Sequence, residues 1–228
     1  MNVTASAGFK PLGRPELARR VAADIPEGWY VNLGIGMPTL VADYVPAGRE
    51  VIFHSENGLL GMGPVPAPGK ADPWVINAGK QNVTMLTGAA LVHHADSFTM
   101  IRGGHLDLCI LGAFEVAENG DIANWATSAA EATPAVGGAM DLAVGAKRLW
   151  VMTDHTTRDG KPKLVERCSY PLTAQGTVKR VYSNLAVLDV TPRGFEVIDM
   201  APGLTFAELQ AKTGARLSDG REGGRRSS

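Results

Sequence analysis

The chain has 228 residues, of which 45% are hydrophobic and 20% are charged, and its formal net charge is -1. This length and composition suit one large α/β domain with a substantial buried core. The balanced charge and the aromatic content of 6% argue against nucleic acid and anionic membranes as partners. No apolar run approaches the roughly 18 residues of a membrane span, and no signal-peptide pattern is found, so we expect a cytoplasmic protein.

The predicted elements alternate between helices and strands along the chain. The first helix, at residues 14–25, places Leu17, Val21 and Ile25 on one face. This alternation predicts an α/β fold with an open, mostly parallel but mixed sheet and flanking helices. The segments that follow are a strand at 29–33, a helix at 38–45, strands at 51–54 and 106–112, a helix at 137–147, a strand at 148–154, and a hairpin of strands at 185–191 and 194–200.

The last predicted helix begins at Thr205, which forms a capping box with Glu208, and Gly214 stands where this helix should stop. The end of the chain is rich in Gly, Arg and Ser, a composition typical of disorder. The predicted division is a flexible lead at 1–13, a folded domain at 14–217 and a disordered tail at 218–228.

Signals for metal and cofactor chemistry are weak. Cys109 and Cys168 have no C-x-x-C partner, so we interpret them as two buried thiols in a reducing compartment. The adjacent His93 and His94 point in different directions on a helix or a strand, and His155 after Asp154 is better explained by a capped strand end than by a catalytic pair. The sequence therefore predicts no metal and no resident cofactor.

Glycines cluster where several predicted strands end. Such glycines let the backbone approach a ligand closely, although a tight turn explains each one alone. Several of them together indicate a pocket at the carboxyl edge of the sheet. The clusters are Gly34 with Gly36, Gly58 with Gly61 and Gly63, Gly103 with Gly104, and Gly137 with Gly138.

One carboxylate, Glu56, belongs to this edge, because it follows a strand and precedes Asn57 and Gly58. A carboxylate held on a tight turn can act as a nucleophile or a base. The alternative is an exposed turn glutamate without chemistry, and the residues alone favour that alternative.

A family resemblance reverses this balance. The segment 53–61, FHSENGLLG, resembles the signature around the catalytic glutamate of the B subunits of 3-oxoacid CoA-transferases. The similarity extends over roughly residues 14–217, and the family fold, an open α/β sheet shared with some sugar-phosphate isomerases, agrees with the predicted elements. Further segments that resemble the family, in the family's order, are 32–40, 76–81, 100–108, 120–125 and 137–143.

The resemblance implies a role for several residues. Glu56 would carry CoA as a glutamyl-CoA thioester, and the backbone amide of Gly138 would stabilise the oxyanion of each tetrahedral intermediate. Lys80 matches a family lysine near CoA. The remaining residues assigned to CoA or substrate binding are Asn32, Gly34, Gly36, Asn57 and Gly137.

The segments 93–98, 133–142 and 153–165 resemble the 3-oxoadipate branch of the family. This implies succinyl-CoA as donor and 3-oxoadipate as acceptor, with acetoacetate (3-ketoacid) or acetate CoA-transferase as the alternative. It also implies a partner, the family's A subunit, in a heterodimer that we expect to pair as A2B2. Two rival functions stay open at this point: a sugar-phosphate isomerase on the same fold, and a non-catalytic binding or regulatory subunit.

Overall fold

The structure, a computed structural model, describes residues 8–128 and 137–221. Four α-helices, one 3₁₀ helix and thirteen strands are found in this part of the chain. In chain order they are α1 (Arg14–Asp24), β1 (Tyr30–Leu33), the 3₁₀ helix (Met37–Tyr44), β2 (Ile52–Ser55), β3 (Leu59–Met62), β4 (Met85–Leu91), α2 (His94–Arg102), β5 (Leu108–Leu111), β6 (Glu115–Ala117), β7 (Ile122–Ala123), α3 (Ala139–Gly145), β8 (Leu149–Thr153), β9 (Leu164–Val165), β10 (Val178–Ser183), β11 (Ala186–Thr191), β12 (Gly194–Met200), α4 (Phe206–Ala211) and β13 (Leu217–Asp219).

Ten strands of the described chain form one sheet, in the order β13-β12-β11-β10-β8-β5-β1-β2-β3-β4. The central neighbours from β10 to β2 are all parallel, whereas β2-β3-β4 and β10-β11-β12 pair antiparallel. The remaining strands form a small sheet, β7-β6-β9. The predicted α/β fold with a mixed sheet is therefore confirmed, and so is the hairpin predicted near the end of the chain, which is β11-β12.

The central strands are buried on both faces, as parallel strands usually are. Every residue of β5 and β8 is buried. One core cluster packs α1 against the sheet through Leu17 and Val21, and a second packs residues of α2 and α3, Ile101 and Leu142, against the other face. The carboxyl ends of β1, β2, β5 and β8 consequently meet along one edge of the sheet.

Two predicted helices differ in detail from the observed ones. The segment predicted as a helix at 38–45 is a 3₁₀ helix, and its first turn is closed by the Thr39 amide on the Gly36 carbonyl, an i to i+3 bond of 3.2 Å. The α4 capping box is confirmed, but the helix ends at Ala211, before Gly214. Gly214 instead donates its amide to Leu164 O at 2.8 Å, where a Cβ would lie only 3.2 Å from that oxygen.

The ordered chain extends beyond the limits that the sequence suggests. Leu12, in the predicted lead, donates its amide to Asn184 O at 2.8 Å. Ser218 and Asp219, in the predicted tail, pair with β12 as part of β13. The rest of that tail, residues 222–228, lies outside the described residues. Within the described chain, no helix has the length and apolar composition needed to cross a membrane.

Candidate active site

A cavity of about 510 Å³ lies at the carboxyl edge of the parallel strands. Its wall contains residues that end β1, β5 and β8, the turn after β2, and the start of α3. Five of the predicted site residues line it, namely Asn32, Gly34, Glu56, Gly137 and Gly138. Gly36, Asn57 and Lys80 do not. The pocket predicted from the glycine clusters is thus present, at the edge where open α/β sheets bind ligands.

Glu56 stands on a tight turn between β2 and β3, which pair with Ser55 opposite Leu59. Gly58 closes the turn by donating a hydrogen bond of 2.9 Å from its amide to Ser55 O. It adopts a left-handed φ of 113°, and a Cβ there would overlap the carbonyl oxygen of Val92. The glycine thus lets the turn pack against the backbone that leads into α2. Glu56 is half-buried and faces the cavity, unlike an exposed turn glutamate.

Gly138 lies directly against the Glu56 carboxylate. A Cβ at position 138 would overlap Glu56 Oε2 and would lie 2.9 Å from Cζ of Phe98. The residue precedes the first turn of α3, and its N–H has no acceptor among the residues that the structure describes. Gly138 therefore lies against the carboxylate and keeps an N–H donor without an acceptor in the described part of the chain, and a free backbone N–H is one kind of group that can form an oxyanion hole.

The surroundings of Glu56 disfavour its charge. Burial raises the pKa of the carboxyl, the charge of His94 opposes this rise, and the charge of Asp141 adds to it. No hydrogen-bond donor within the described ranges contacts the carboxylate. A carboxylate that is poorly solvated and more basic than usual is a better nucleophile than one in water.

A family model for coenzyme A transferases matches residues 14–212. The chain belongs to the coenzyme A transferase family. The B subunit of the 3-oxoadipate CoA-transferase of Acinetobacter baylyi is 58% identical over 94% of this chain and 99% of that protein. The B subunit of the succinyl-CoA:3-ketoacid coenzyme A transferase of Helicobacter pylori is 45% identical over 90% of this chain and 98% of that protein.

The fold agrees with that of a solved acyl-CoA transferase. The acyl-CoA transferase YdiF of Escherichia coli O157:H7 matches with a TM-score of 0.73 at 19% identity, over 96% of this chain. The chain spans 44% of the YdiF chain. Fold and family, and with them the predicted class of enzyme, a CoA-transferase, are confirmed, and the sugar-phosphate isomerase hypothesis is set aside.

Asn32 of this transferase lines the cavity but is 2% exposed. Its amide nitrogen contacts Nδ1 of His54 at 3.0 Å and donates to the His54 carbonyl at 3.1 Å. Nδ1 of His54 therefore accepts, and Nε2 donates to Ser97 Oγ at 2.9 Å. Burial lowers the pKa of His54 to about 4, so the ring is neutral at pH 7. Both contacts of the Asn32 amide nitrogen are thus made to His54, and they link β1 to β2.

Four further residues predicted to bind CoA or substrate have a notable backbone contact or backbone conformation, namely Gly34, Gly36, Asn57 and Lys80. A Cβ at Gly34 would lie 2.9 Å from the Leu111 side chain and 3.0 Å from Ile110 O, so the glycine permits close packing of β1 on β5. Gly36 has open space around it, but its left-handed φ of 99° favours glycine at this position.

The side chain of Asn57 is exposed and donates to Ile76 O at 2.8 Å. Lys80 is exposed, with a left-handed φ of 62°, in the turn next to the cavity residue Ala78.

The histidines singled out in the sequence have structural explanations. His93 caps α2 by accepting from the Ala95 amide, and the His94 ring packs on Phe98 with centroids 4.8 Å apart. His155 contacts Ser183 Oγ at 2.8 Å and Thr213 Oγ1 at 2.9 Å, and no contact with Asp154 is found in the described chain. Burial and the charge of Lys212 lower its pKa to about 4. The Asp154–His155 pair is thus not a catalytic dyad.

The sequence analysis did not single out Lys163, the one lysine among the described residues that line the cavity. Lys163 reaches the cavity from the loop after β8, and its Nζ donates to Ala113 O at 2.8 Å and to Thr153 Oγ1 at 2.7 Å. It lies inside the 153–165 segment that resembles the 3-oxoadipate branch, and that resemblance was the one available signal for it.

The charges around Glu56 predict two opposite shifts in the pH profile of the assembled enzyme. A carboxylate nucleophile reacts only in its ionised form, so an enzyme that uses Glu56 as its nucleophile should lose kcat/KM as pH drops through the raised pKa of this residue. His94→Gln removes a charge that lowers this pKa, so the acid limb should move to higher pH. Asp141→Asn removes a charge that raises it, so the limb should move to lower pH.

The control for Asp141→Asn is a change in its ion-pair partner Arg102, whose Nε lies 2.7 Å from Asp141 Oδ1. Arg102→Gln breaks the same pair but keeps the Asp141 charge, so the limb should not move to lower pH. Profiles in which His94→Gln and Asp141→Asn shift the limb in the same direction would contradict this account of the site.

Proposed function

We propose that this chain is the glutamate-bearing B subunit of an enzyme that moves CoA from succinyl-CoA to 3-oxoadipate. The observation that carries the proposal is the placement of Glu56, half-buried at the cavity edge with its carboxylate against Gly138. A nucleophilic carboxylate suits this exchange, because the enzyme acyl group then resembles both carboxylic acid substrates and no step is steeply uphill.

The reaction proceeds in two exchanges that balance without an external proton or electron. A Glu56 oxygen attacks the carbonyl carbon of the succinyl thioester and the C–S bond breaks. CoA departs as the thiolate, and Glu56 and the succinyl group are then joined as a mixed anhydride. The thiolate then attacks the Glu56 carbonyl, a C–O bond breaks, and succinate departs from the glutamyl-CoA thioester. The acceptor carboxylate attacks this thioester, and the thiolate released attacks the acceptor carbonyl, which yields 3-oxoadipyl-CoA and free Glu56.

Each attack creates a tetrahedral oxyanion. The free Gly138 N–H beside Glu56 supplies a donor for those formed on the Glu56 carbonyl, and one such donor is worth about 3 kcal/mol of barrier. Partial burial keeps water away from the anhydride and the thioester, which protects both from hydrolysis. The first effect would raise the rate of transfer, and the second would prevent loss of the intermediates to water.

The acceptor is inferred from the relatives. The relative named for 3-oxoadipate is 58% identical to this chain, against 45% for the one named for 3-ketoacids. Both names designate a B subunit, which supports a partner chain of the A type, and we propose two copies of each chain in the complex. A 3-ketoacid transferase that uses acetoacetate is the second candidate.

The deciding experiment traps the intermediate in the purified complex of both chains. The complex is incubated with succinyl-CoA, reduced with borohydride, and mapped by mass spectrometry. We expect reduction at Glu56 alone, and none when excess 3-oxoadipate is added before the borohydride. An active complex with an unmodified Glu56 would place the nucleophile elsewhere and leave this chain with a binding or regulatory role. Parallel assays with acetoacetate identify the preferred acceptor.

A further inference from the structure

We propose that Lys163 binds the second carboxylate of dicarboxylic substrates, the one that does not react, and so makes the cavity selective for diacids over monoacids. This inference rests on the proposed function, because it concerns the acids that exchange CoA at Glu56. It assigns a binding role to the lysine that the structure places in the same cavity.

The position of the ammonium group is fixed. Its two hydrogen bonds, to Ala113 O and Thr153 Oγ1, hold Nζ between the chain that follows β5 and the end of β8. An ammonium group has three N–H donors. No third acceptor for Lys163 is found in residues 8–128 or 137–221, and one donor is therefore left for a ligand.

The charges of the cavity wall make this group distinctive. Among the described residues that line the cavity, Lys163 is the one lysine or arginine, and the acidic side chains are Glu56 and Asp154. Asp154 acts on Lys163 through its charge, but no ion pair within 4.0 Å joins them. Burial lowers the pKa of Lys163, and an anionic ligand would favour its charged form again.

The spacing suits a short diacid. Since β1 lies between β2 and β5, the strand that leads to Glu56 and the strand that leads to Ala113, whose carbonyl Lys163 contacts, run about 10 Å apart. Glu56 and Lys163 line the same cavity of about 510 Å³, so one small molecule bound there can meet both side chains. Succinate and 3-oxoadipate are both short diacids, with one carboxylate to exchange CoA at Glu56 and a second left for Lys163.

The half-reaction of the loaded enzyme tests this binding role. The assembled complex is loaded with succinyl-CoA, freed of excess donor, and mixed with succinate, 3-oxoadipate, butyrate or acetoacetate, and the loss of the Glu56 thioester is timed. Lys163→Met should slow the reaction with both diacids by roughly 10- to 100-fold, because a charge-assisted hydrogen bond is lost. The two monoacids should react as they do in wild type.

Two controls separate binding from support of the fold. Lys161→Met changes an exposed lysine in the same loop, outside the cavity, and should leave all four rates unchanged. Lys163→Arg keeps the charge and should keep the preference for diacids. Equal slowing of diacids and monoacids by Lys163→Met would overturn the inference, since a purely structural lysine has that effect.

A last comparison needs no variant, in case Lys163→Met fails to fold. In wild type, succinate should react at least about tenfold faster than its half-amide succinamate, in which an uncharged amide replaces the second carboxylate. Equal rates would overturn the inference. A wild-type complex that forms no thioester with succinyl-CoA would instead overturn the proposed function, so the two failures are distinguishable.

Discussion

Replacing Glu56 by glutamine in the assembled complex should lower kcat by at least about 10³-fold, the scale seen when an enzyme loses its nucleophile. The amide has nearly the same shape as the carboxylate, so the β2-β3 turn and the cavity should persist. It has no anionic oxygen to attack a thioester, so neither the anhydride nor the glutamyl-CoA thioester can form. The measurement is steady-state transfer from succinyl-CoA to 3-oxoadipate, with circular dichroism and size-exclusion chromatography as checks on assembly.

Two further variants make this test specific. Glu27→Gln removes an exposed carboxylate outside the cavity and should leave kcat unchanged. Glu56→Asp keeps the charge but withdraws it from Gly138 by one methylene, and misplacement by about 1 Å can cost on the order of 10²-fold. Turnover by Glu56→Gln within a few-fold of wild type would reject Glu56 as the nucleophile.

Adding a single methyl group at Gly138 should reduce kcat by about 10² to 10³-fold while the complex stays folded. In Gly138→Ala the new Cβ overlaps Glu56 Oε2 and meets the Phe98 ring at 2.9 Å. The Glu56 carboxylate is then displaced from its position against Gly138. The position is half-buried and φ is -88°, which alanine readily adopts, so little stability should be lost.

The matched control is Gly112→Ala, another glycine of the cavity wall, where a Cβ would meet nothing within 4 Å. Its activity should remain close to wild type. A thermal unfolding curve shows whether Gly138→Ala is folded, and borohydride trapping shows whether it still forms the thioester. Full activity in a folded Gly138→Ala complex would refute the placement of the oxyanion donor at this amide.

Sequence reasoning located the elements whose patterns are strong. α1 carries its apolar residues at helical spacing, and β5 and β8 are continuous apolar runs, so all three were predicted. β4 was missed because most of its residues are exposed on a sheet edge, and the strand has no alternating pattern. The short strands β7 and β9 contain two residues each, too few for any periodicity to appear.

The chemistry of the site is less visible in sequence, because it depends on contacts between distant segments. Around Glu56 the sequence pattern indicates only a turn. The pKa of the Glu56 carboxyl depends on burial and on the charges of His94 in α2 and Asp141 in α3, which are distant in the sequence. The family resemblance points to Glu56, Gly138 and Asn32 as site residues, and these roles stay predictions. Only coordinates show that the donors of Asn32 are committed to His54.

The order of the central strands also affects when reactivity appears during folding. β1 pairs with β2 soon after it in the chain and with β5 much later, and the cavity closes only when α3, β8 and Lys163 arrive. These are non-local contacts, which form slowly because long loops have to close first. In a partly folded chain the β2-β3 hairpin would hold Glu56 in water, without the burial that raises its pKa. The raised pKa of Glu56 is therefore a property that we expect only after these later segments have closed the cavity.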